Sequence, residues 1–162
     1  MRGQKKKFEK PFRSWDRVRI ESEKKLMQNY GLRRKKEIWR SESILRNYRR
    51  LARNLAAKKN KGKEKILLDK LVKTGLLNPN ASLDNVLALT IENILDRRLQ
   101  TLVFKRGLAN SAKQARQYII HGHIALEGKR TRWPSMLVPI SEESKISFYG
   151  KSKIGGKDAS KA

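Results

Sequence analysis

The sequence contains no cysteine, few prolines and few acidic residues, and these shortages exclude several classes of protein. Without cysteine there is neither a disulfide framework nor a thiolate zinc site. No apolar run approaches the roughly 20 residues that span a bilayer. The basic start, MRGQKKKFEK, is not followed by the apolar segment of a signal peptide. We therefore expect an intracellular protein that is neither exported nor inserted into a membrane.

The shortage of acidic residues leaves a large positive excess. Lys and Arg number 40 against 15 Asp and Glu, a net charge of +25 in 162 residues. Such an excess opposes compaction unless an anion neutralises it. The net charge therefore indicates the kind of partner the protein binds, but it does not indicate the fold. Nucleic acid is the first candidate and an anionic membrane surface the second. No helix predicted here has the broad apolar face that interfacial insertion needs, so we expect no membrane partner.

Most of the charge lies in residues 1–65, which hold 24 basic and 7 acidic residues, a net of 24 − 7 = +17. Apolar spacing predicts helices over residues 15–29 and 35–59. Four arginines of the second helix fall at i, i+3, i+4 and i+7, which predicts one guanidinium face. They are Arg46, Arg49, Arg50 and Arg53. A solvated face is the alternative, but like charges at this spacing destabilise an isolated helix, so we expect an anionic partner to order the region.

Aromatic residues are interleaved with these basic ones. Such rings can stack on bases, although rings of this kind more often pack in a core. They are Phe8, Phe12, Trp15, Tyr30, Trp39 and Tyr48.

Residues 66–93 are apolar and nearly neutral, and we expect them to be core rather than a site. A polar loop is predicted over residues 58–63, followed by an apolar helix that ends near Gly75. Residues 78–80, Asn-Pro-Asn, predict a turn. Ser82 and Thr90 are predicted to cap the two helices that follow.

The stretch over residues 94–128 organises the rest of the chain. A single apolar stripe runs from Ile91 to Val103 and predicts one helix that ends at Gly107. The run Ser111-Ala-Lys-Gln is a capping box, so a second helix is predicted from Ser111 to Gly122. Strands are predicted over residues 123–127, 129–132 and 145–149, with a turn at Gly128. Prolines at 134 and 139 interrupt the sheet.

These patterns predict an α+β fold in which a mostly helical, basic N-terminal region packs with a small module of two helices and short antiparallel strands. We assign residues 1–93 to the helical region, including the apolar segment 66–93, residues 94–149 to the module, and residues 150–162 to a flexible basic tail.

Candidate RNA-binding residues lie in both parts. In the module they cover the faces of its two helices, including an outer face shared by Lys113, Arg116 and Gln117, and a capped helix start whose N–H groups attract phosphate. The module set is Arg97, Arg98, Lys105, Arg106, Ser111, Lys113, Arg116, Gln117, His121, His123, Lys129, Arg130 and Arg132. The N-terminal set is Arg33, Arg34, Lys35, Arg46, Arg49, Arg50 and Arg53.

No catalytic, cofactor or metal site is predicted, and we do not expect an enzyme. His121 and His123 straddle Gly122, but two histidines without an acidic cluster are weak evidence for zinc. Glu142 and Glu143 are adjacent, so on a strand they would point to opposite sides and could not act as an acid/base pair. No glycine-rich phosphate-binding motif is present.

The run RRLQTLVFKRGLANSAKQARQYIIHGHIALEGKR, residues 97–130, resembles the RNA-binding module named after small-subunit ribosomal protein S-four, also called the alpha-L motif. The matching positions are Arg98, Leu99, Gly107, Ser111, Ala115, Arg116, His121, Gly122, Ile124 and Gly128. The family commonly has Asp where this chain has Gln100, so no role of that Asp is carried over. The strings YGLRRKKEIWR and LDNVLALTIE are similar to the archaeal and eukaryotic branch of the same ribosomal protein family, and the resemblance spans about residues 8–149.

The resemblance implies a structural constituent of the small ribosomal subunit, in the cytoplasm, that binds rRNA early in assembly at a junction of helices. Its partners would be small-subunit rRNA, neighbouring ribosomal proteins and mRNA near the side where mRNA enters. No homo-oligomer is expected. Some bacterial relatives carry N-terminal zinc cysteines, which this chain lacks. The alternatives are a ribosome-biogenesis factor and an RNA-modifying enzyme, although few residues remain for a catalytic domain.

Overall fold

The computed structural model describes residues 6–58, 60–150 and 152. The described chain forms two compact units. The first unit consists of the residues up to Val72 together with Leu76–Leu95. The second unit consists of Lys73–Gly75 and the residues from Asp96 onward. Helices and one small antiparallel sheet make up the fold, so the predicted α+β class is confirmed. The tail predicted from residue 150 lies almost wholly outside the described residues.

Helices form the first unit. Their bounds are α1 Arg17–Asn29, α2 Lys35–Lys58, α3 Lys61–Lys73, α4 Leu83–Ala88 and α5 Ile91–Asp96. Asp16 caps α1 by accepting a hydrogen bond from the Arg19 N–H at 3.4 Å. Ser82 stands at the N-cap of α4 as predicted, but its side chain makes no capping bond. The predicted turn after α3 is confirmed, since the Ala81 N–H donates to the Asn78 carbonyl at 3.1 Å.

The loop predicted over residues 58–63 is wrong in its extent, because α2 includes Lys58 and α3 already begins at Lys61. Asn60 begins the helix: its Oδ1 accepts from the Lys63 N–H at 3.3 Å and its carbonyl accepts from the Glu64 N–H at 3.1 Å. Asn is among the best N-cap residues, and one capping side chain outweighs the helix-breaking tendency of Gly62 in this polar run.

Leu32, Ile38 and Leu95 form a buried cluster in the first unit. Partly buried Leu26, Met27, Tyr30 and Ile91 pack against it. Because these residues come from α1, α2 and α5 and the turn after α1, their burial fixes the first two helices to the segment that leads out of the unit. No helix in the described chain is both long enough and apolar enough to cross a membrane.

The second unit is built from short elements. They are α6 Leu99–Lys105, α7 Ala112–His121, β1 Ile124–Leu126, β2 Lys129–Arg130, α8 Ile140–Glu143 and β3 Ile146–Phe148. The sheet order is β2-β1-β3, and both pairings are antiparallel. Glu127 and Gly128 both have positive φ, at 52° and 76°, which gives the tight turn between β1 and β2. The core contains Leu99, Val103, Ala115, Ile119, Ile124 and Val138.

The single helix predicted to end at Gly107 is wrong, since it divides into α5 and α6 at Arg97 and Arg98. Arg98 is extended, at φ −74° and ψ 142°, and forms an isolated antiparallel bridge with Leu137. The first N–H groups of α6 are satisfied by a distant segment: Leu99 donates to the Met136 carbonyl at 2.8 Å and Gln100 to the Pro134 carbonyl at 3.3 Å. These non-local hydrogen bonds replace the continuous helix that the apolar stripe predicts.

The ends of α7 are where the sequence predicts them. Gly122 is its C-cap and adopts the left-handed conformation. The predicted strands are shorter in the structure, and Glu142 and Glu143 lie in the one-turn helix α8 rather than on a strand. Pro139 stands at the N-cap of α8, where a residue without an N–H is tolerated.

Candidate nucleic-acid interface

The four arginines of α2 line one groove of about 650 Å³. The groove is bounded by α2 and by the segment that leads into α5, and its lining also includes Glu42, Leu45, Thr90 and Ile91. The predicted alignment of the four side chains on one face therefore agrees with the structure. A concave surface with several guanidinium groups suits phosphate, because each group offers donors in a planar fork.

The four arginines differ in their partners. Arg46 forms an ion pair with Glu9. Arg49 donates from an η nitrogen to the Leu89 carbonyl at 2.6 Å, which ties α2 to the chain before α5. Arg50 and Arg53 are exposed, and neither has a hydrogen-bond or ion-pair partner among the residues that the structure describes. These two side chains are therefore the most available of the four to an anion.

The predicted set omits Arg40, which is exposed on the same helix. It lines a second groove of about 390 Å³ together with Lys6, Lys7 and Arg46. Arg40 precedes Asn47, which lines the same groove, by seven residues or about two helical turns, so the two residues share a face of α2. Arg40 stands outside the i, i+3, i+4, i+7 row that begins at Arg46, so the pattern of that row does not include it.

Lys35 serves a structural contact. Its ammonium lies 3.4 Å from Glu23, a carboxylate that is only 5% exposed. Glu23 also accepts hydrogen bonds from Arg19 at 2.6 Å and Trp39 at 2.9 Å. Burial by itself raises the pKa of Glu23, but the hydrogen bonds from Trp39 and Arg19 outweigh it and leave that pKa below the usual value. The carboxylate thus holds α1 against α2. Arg33 and Arg34, in the turn before α2, are exposed.

Most of the predicted residues of the second unit are on the surface. Lys105 pairs with Asp96 at 3.1 Å, and both groups are partly exposed. The exposed members of the predicted set are Lys105, Arg106, Ser111, Lys113, Gln117, His121, Lys129, Arg130 and Arg132.

The predicted surface positions of Arg97 and Arg98 are wrong. Arg98 is 4% exposed, and the Arg97 side chain is 14% exposed. Arg97 donates to Glu143 at 2.8 Å and to the Val138 carbonyl at 2.9 Å. A Cβ at Gly75, whose φ is +72°, would lie 2.9 Å from the Arg97 guanidinium. The Arg97 side chain thus lies inside the second unit, and its residue stands at the break between α5 and α6.

Three further arginines of the second unit bind its own backbone or side chains. Arg130 donates to the carbonyls of Gly122 at 3.0 Å and His121 at 2.9 Å, where a cation is favoured by the helix dipole. Arg106 donates to the carbonyls of Ser144 and Ile146 at 3.1 and 3.2 Å. Arg116 is half-buried and reaches Gln100 at 3.4 Å, so the outer face predicted for it is only partly correct.

The start of α7 is capped as the sequence predicts. Ser111 Oγ accepts from the Gln114 N–H at 3.2 Å. The Gln114 side chain reaches one residue further than in a standard capping box and accepts from the Asn110 N–H at 2.8 Å. An anion at this helix start would be held by the N–H groups of Ala112 and Lys113.

The two histidines stack on each other, with ring centroids 6.2 Å apart and an interplanar angle of 26°. His123 Nδ1 lies 3.0 Å from Ser152 Oγ, and Tyr118 packs edge-on against its ring. Within the described ranges, no group of three or more His, Cys, Asp or Glu side chains is arranged to hold a metal ion. Of the two adjacent glutamates, Glu143 is the partner of Arg97.

Comparison with known proteins identifies relatives along nearly the whole chain. A family model described as the S4 domain matches residues 97–144. The protein is 50% identical to small ribosomal subunit protein uS4 of Methanothermobacter thermautotrophicus over 156 residues, which cover 94% of this chain and 91% of the relative. It is 47% identical to the uS4 protein of Methanosphaera stadtmanae, over 92% and 84% of the two chains. The corresponding protein of Saccharolobus islandicus is 48% identical, with the same coverage.

These relatives confirm the resemblance that the sequence motifs predicted. Identity of this degree over more than nine-tenths of the sequence means that the chain belongs to the uS4 family of small ribosomal subunit proteins.

Proposed function

We propose that the protein is a structural constituent of the small ribosomal subunit that binds rRNA directly and acts by binding rather than by catalysis. The relatives at 45–50% identity are all named as small ribosomal subunit proteins, which supports this role. The observation that carries the proposal is the uncompensated charge, because a ribosome offers a dense array of phosphates that can neutralise it.

Internal ion pairs cannot remove this charge. If each of the 15 acidic residues were paired with one basic residue, 40 − 15 = 25 cations would still lack a carboxylate. Carboxylates such as Glu23 and Glu143 are already engaged inside their units. The remaining cations repel one another on the surface, and an RNA partner relieves that repulsion while releasing counterions from its phosphates.

The contacts we propose are the exposed members of the predicted set. In the first unit, Arg50 and Arg53 would take phosphates along the groove of α2, with Arg33 and Arg34 before it. In the second unit, Lys113, Gln117, Lys129 and Arg132 would contact the RNA backbone. Lys and Arg at such positions fix orientation on RNA through phosphates, and the shape of an RNA junction then supplies selectivity.

The family resemblance also supports a place in the subunit. We propose early binding during assembly in the cytoplasm, neighbouring small-subunit proteins as further partners, and a position near the side where mRNA enters. Early binding follows if rRNA alone provides the anion that orders the basic surface, since no prior protein contact is then required.

The test is the salt dependence of binding between the full-length protein and a small-subunit rRNA fragment. Counterion release predicts that log K falls linearly with log salt, by roughly 0.9 per phosphate contacted. With about six contacts the slope would be roughly −5. A flat dependence from low to high salt would contradict the proposal. An RNA duplex of equal length serves as the control, and it should bind with a similar slope but lower affinity.

A further inference from the structure

Two aromatic rings of the N-terminal segment are left without cover. Of the six aromatic residues that the sequence interleaves with basic ones in the first unit, four are at least partly covered: Phe8, Tyr30, Trp39 and Tyr48. Phe12 and Trp15 are 102% and 92% exposed, and Val18, three residues further on, is 79% exposed. Full exposure of two large rings three residues apart, in a chain with only 7% aromatic residues, indicates a surface that meets a partner.

The backbone that carries these rings is held in place. The Arg19 guanidinium donates to the carbonyls of Arg13 at 2.9 Å and Ser14 at 3.1 Å. The same guanidinium is fixed by Glu23, which is itself buried between α1 and α2. These two hydrogen bonds fix the backbone between Phe12 and Trp15. The rings are therefore displayed by an anchored segment, and less conformational entropy is lost when they bind.

The surroundings of the rings are cationic. Residues 6–20 include six basic side chains and two acidic ones. Lys10, Arg13 and Arg17 are exposed beside the rings, although Arg17 also pairs with Glu21. Exposed aromatic faces among cations are typical of surfaces that bind single-stranded nucleic acid, where bases stack and the backbone follows the positive charge.

We propose that Phe12 and Trp15 form a stacking surface for unpaired nucleotides of RNA. The proposal rests on the proposed function, to which it adds a second mode of contact: bases are recognised here through their faces, whereas the arginines of α2 contact phosphates. A protein partner is less suited, because the apolar patch consists of two rings and one valine and is bordered by lysine and arginine rather than by further apolar side chains.

Tryptophan fluorescence tests the stacking directly. In a full-length Trp133→Phe background, the emission comes from the exposed Trp15 and the half-buried Trp39, and a further Trp15→Phe variant identifies the share of Trp15. Single-stranded oligoadenylate should quench the Trp15 emission, because a stacked base quenches the indole. Heparin, a polyanion without bases, should bind without this quenching. Equal quenching by heparin and oligoadenylate would overturn the proposal.

Affinity measurements separate stacking from charge. Phe12→Ala and Trp15→Ala should each weaken binding of oligoadenylate by about 5- to 140-fold, the effect of losing one base–aromatic stack. The salt slope should stay unchanged, because no phosphate contact is removed. Trp15→Phe should retain most of the affinity. Ile66→Ala, which truncates another exposed apolar side chain in the first unit, should change nothing.

The remaining outcomes also decide the matter. If Trp15→Ala binds oligoadenylate as the wild type does, the stacking surface is refuted. If it then also joins reconstituted small subunits poorly in the presence of other subunit proteins, the patch is a protein contact. If the wild type shows salt-dependent rRNA binding throughout, the proposed function stands although the stacking inference fails. Absence of any RNA binding by the wild type would overturn both.

Discussion

The two units of the protein use arginine differently, although Arg19 and Arg49 of the first unit also donate to backbone carbonyls. In the second unit, Arg97, Arg106 and Arg130 donate to backbone carbonyls of that unit. In the first unit, Arg50 and Arg53 extend from α2 into a groove and have no such bonds in the described part of the chain. Both units are rich in basic residues, so composition alone does not distinguish an arginine that holds the fold together from one that is available to a ligand.

The length of the secondary-structure elements explains the difference. The helix α2 has 24 residues, so most of its carbonyls are satisfied within the helix. The second unit is assembled from elements of 2 to 10 residues, whose ends leave many carbonyls without an internal partner. A guanidinium group carries five N–H donors and can satisfy several carbonyls at once. Arginines next to short elements can thus bind several carbonyls of the fold. On the long helix α2, Arg49 alone among the described arginines donates to a carbonyl outside the helix, and Arg50 and Arg53 stay on its surface.

The strongest test of this comparison replaces Arg97 by Met. The substitution removes both bonds of Arg97 and leaves Glu143 and the Val138 carbonyl without their donor. Removing one partner of a buried ion pair lowers the free energy of unfolding by about 3–5 kcal/mol. Because Glu143 is partly exposed, we expect a decrease of about 3 kcal/mol. Urea unfolding, monitored by hydrogen exchange of residues 99–148, measures this decrease in the free energy of unfolding. Arg132→Met, at an exposed arginine, is the matched control, and equal stability of the two variants would refute the structural role.

A second test concerns Glu23, the carboxylate that anchors basic residues in the first unit. Its folded pKa lies below the ordinary value of 4.5, so its contribution to stability is present above that pH and is lost as the pH falls through the folded pKa. Glu23→Gln should cost about 1–3 kcal/mol at neutral pH, because hydrogen bonds to a charged acceptor are weakened. The free energy of unfolding of the first unit should also fall less steeply with decreasing pH in this variant than in the wild type. The exposed Glu21→Gln is the control, and the same acid profile in wild type and Glu23→Gln would contradict this role.

The smallest expected change in stability accompanies the double substitution Arg50→Gln and Arg53→Gln. The melting temperature should stay within the error of the measurement, whereas the salt slope of rRNA binding should become less steep by about 0.9 for each phosphate that is no longer neutralised. Arg49→Gln should instead lower the unfolding free energy by about 1 kcal/mol, because the Leu89 carbonyl loses its donor. A double variant that binds rRNA with the wild-type slope would remove the groove from the interface.

Local signals predicted much of the fold. The ends of α7 follow from Ser111 and Gly122, and the turn after α3 follows from its Asn-Pro-Asn run. The row of arginines on α2 follows from spacing within one helix. In each case the residues that determine the structure are neighbours in the sequence, so their pattern contains the information.

Features that depend on distant residues could not be predicted in this way. The apolar stripe passes through Arg97 and Arg98 without a break, yet the helix is interrupted because the carbonyls of Pro134 and Met136 take the first N–H groups of α6. The burial of Arg98 depends on the same pairing with Leu137. For the same reason, sequence spacing could not separate the covered rings from Phe12 and Trp15, since burial of Phe8 depends on Trp39.

The division of the chain into units has a consequence for the order in which the protein is made. Lys73–Gly75 belong to the second unit, although Leu76–Leu95, which follow them, belong to the first. Synthesis runs from the N-terminus, so Gly75 leaves the peptidyl-transferase centre well before the Arg97 side chain that will lie against it and the Val138 carbonyl that will hold that side chain. Synthesis of the first unit is therefore complete before Arg97 and Val138, which belong with Lys73–Gly75 in the second unit, have been added to the chain. A fragment that began at residue 96 would lack the Lys73–Gly75 segment of the second unit.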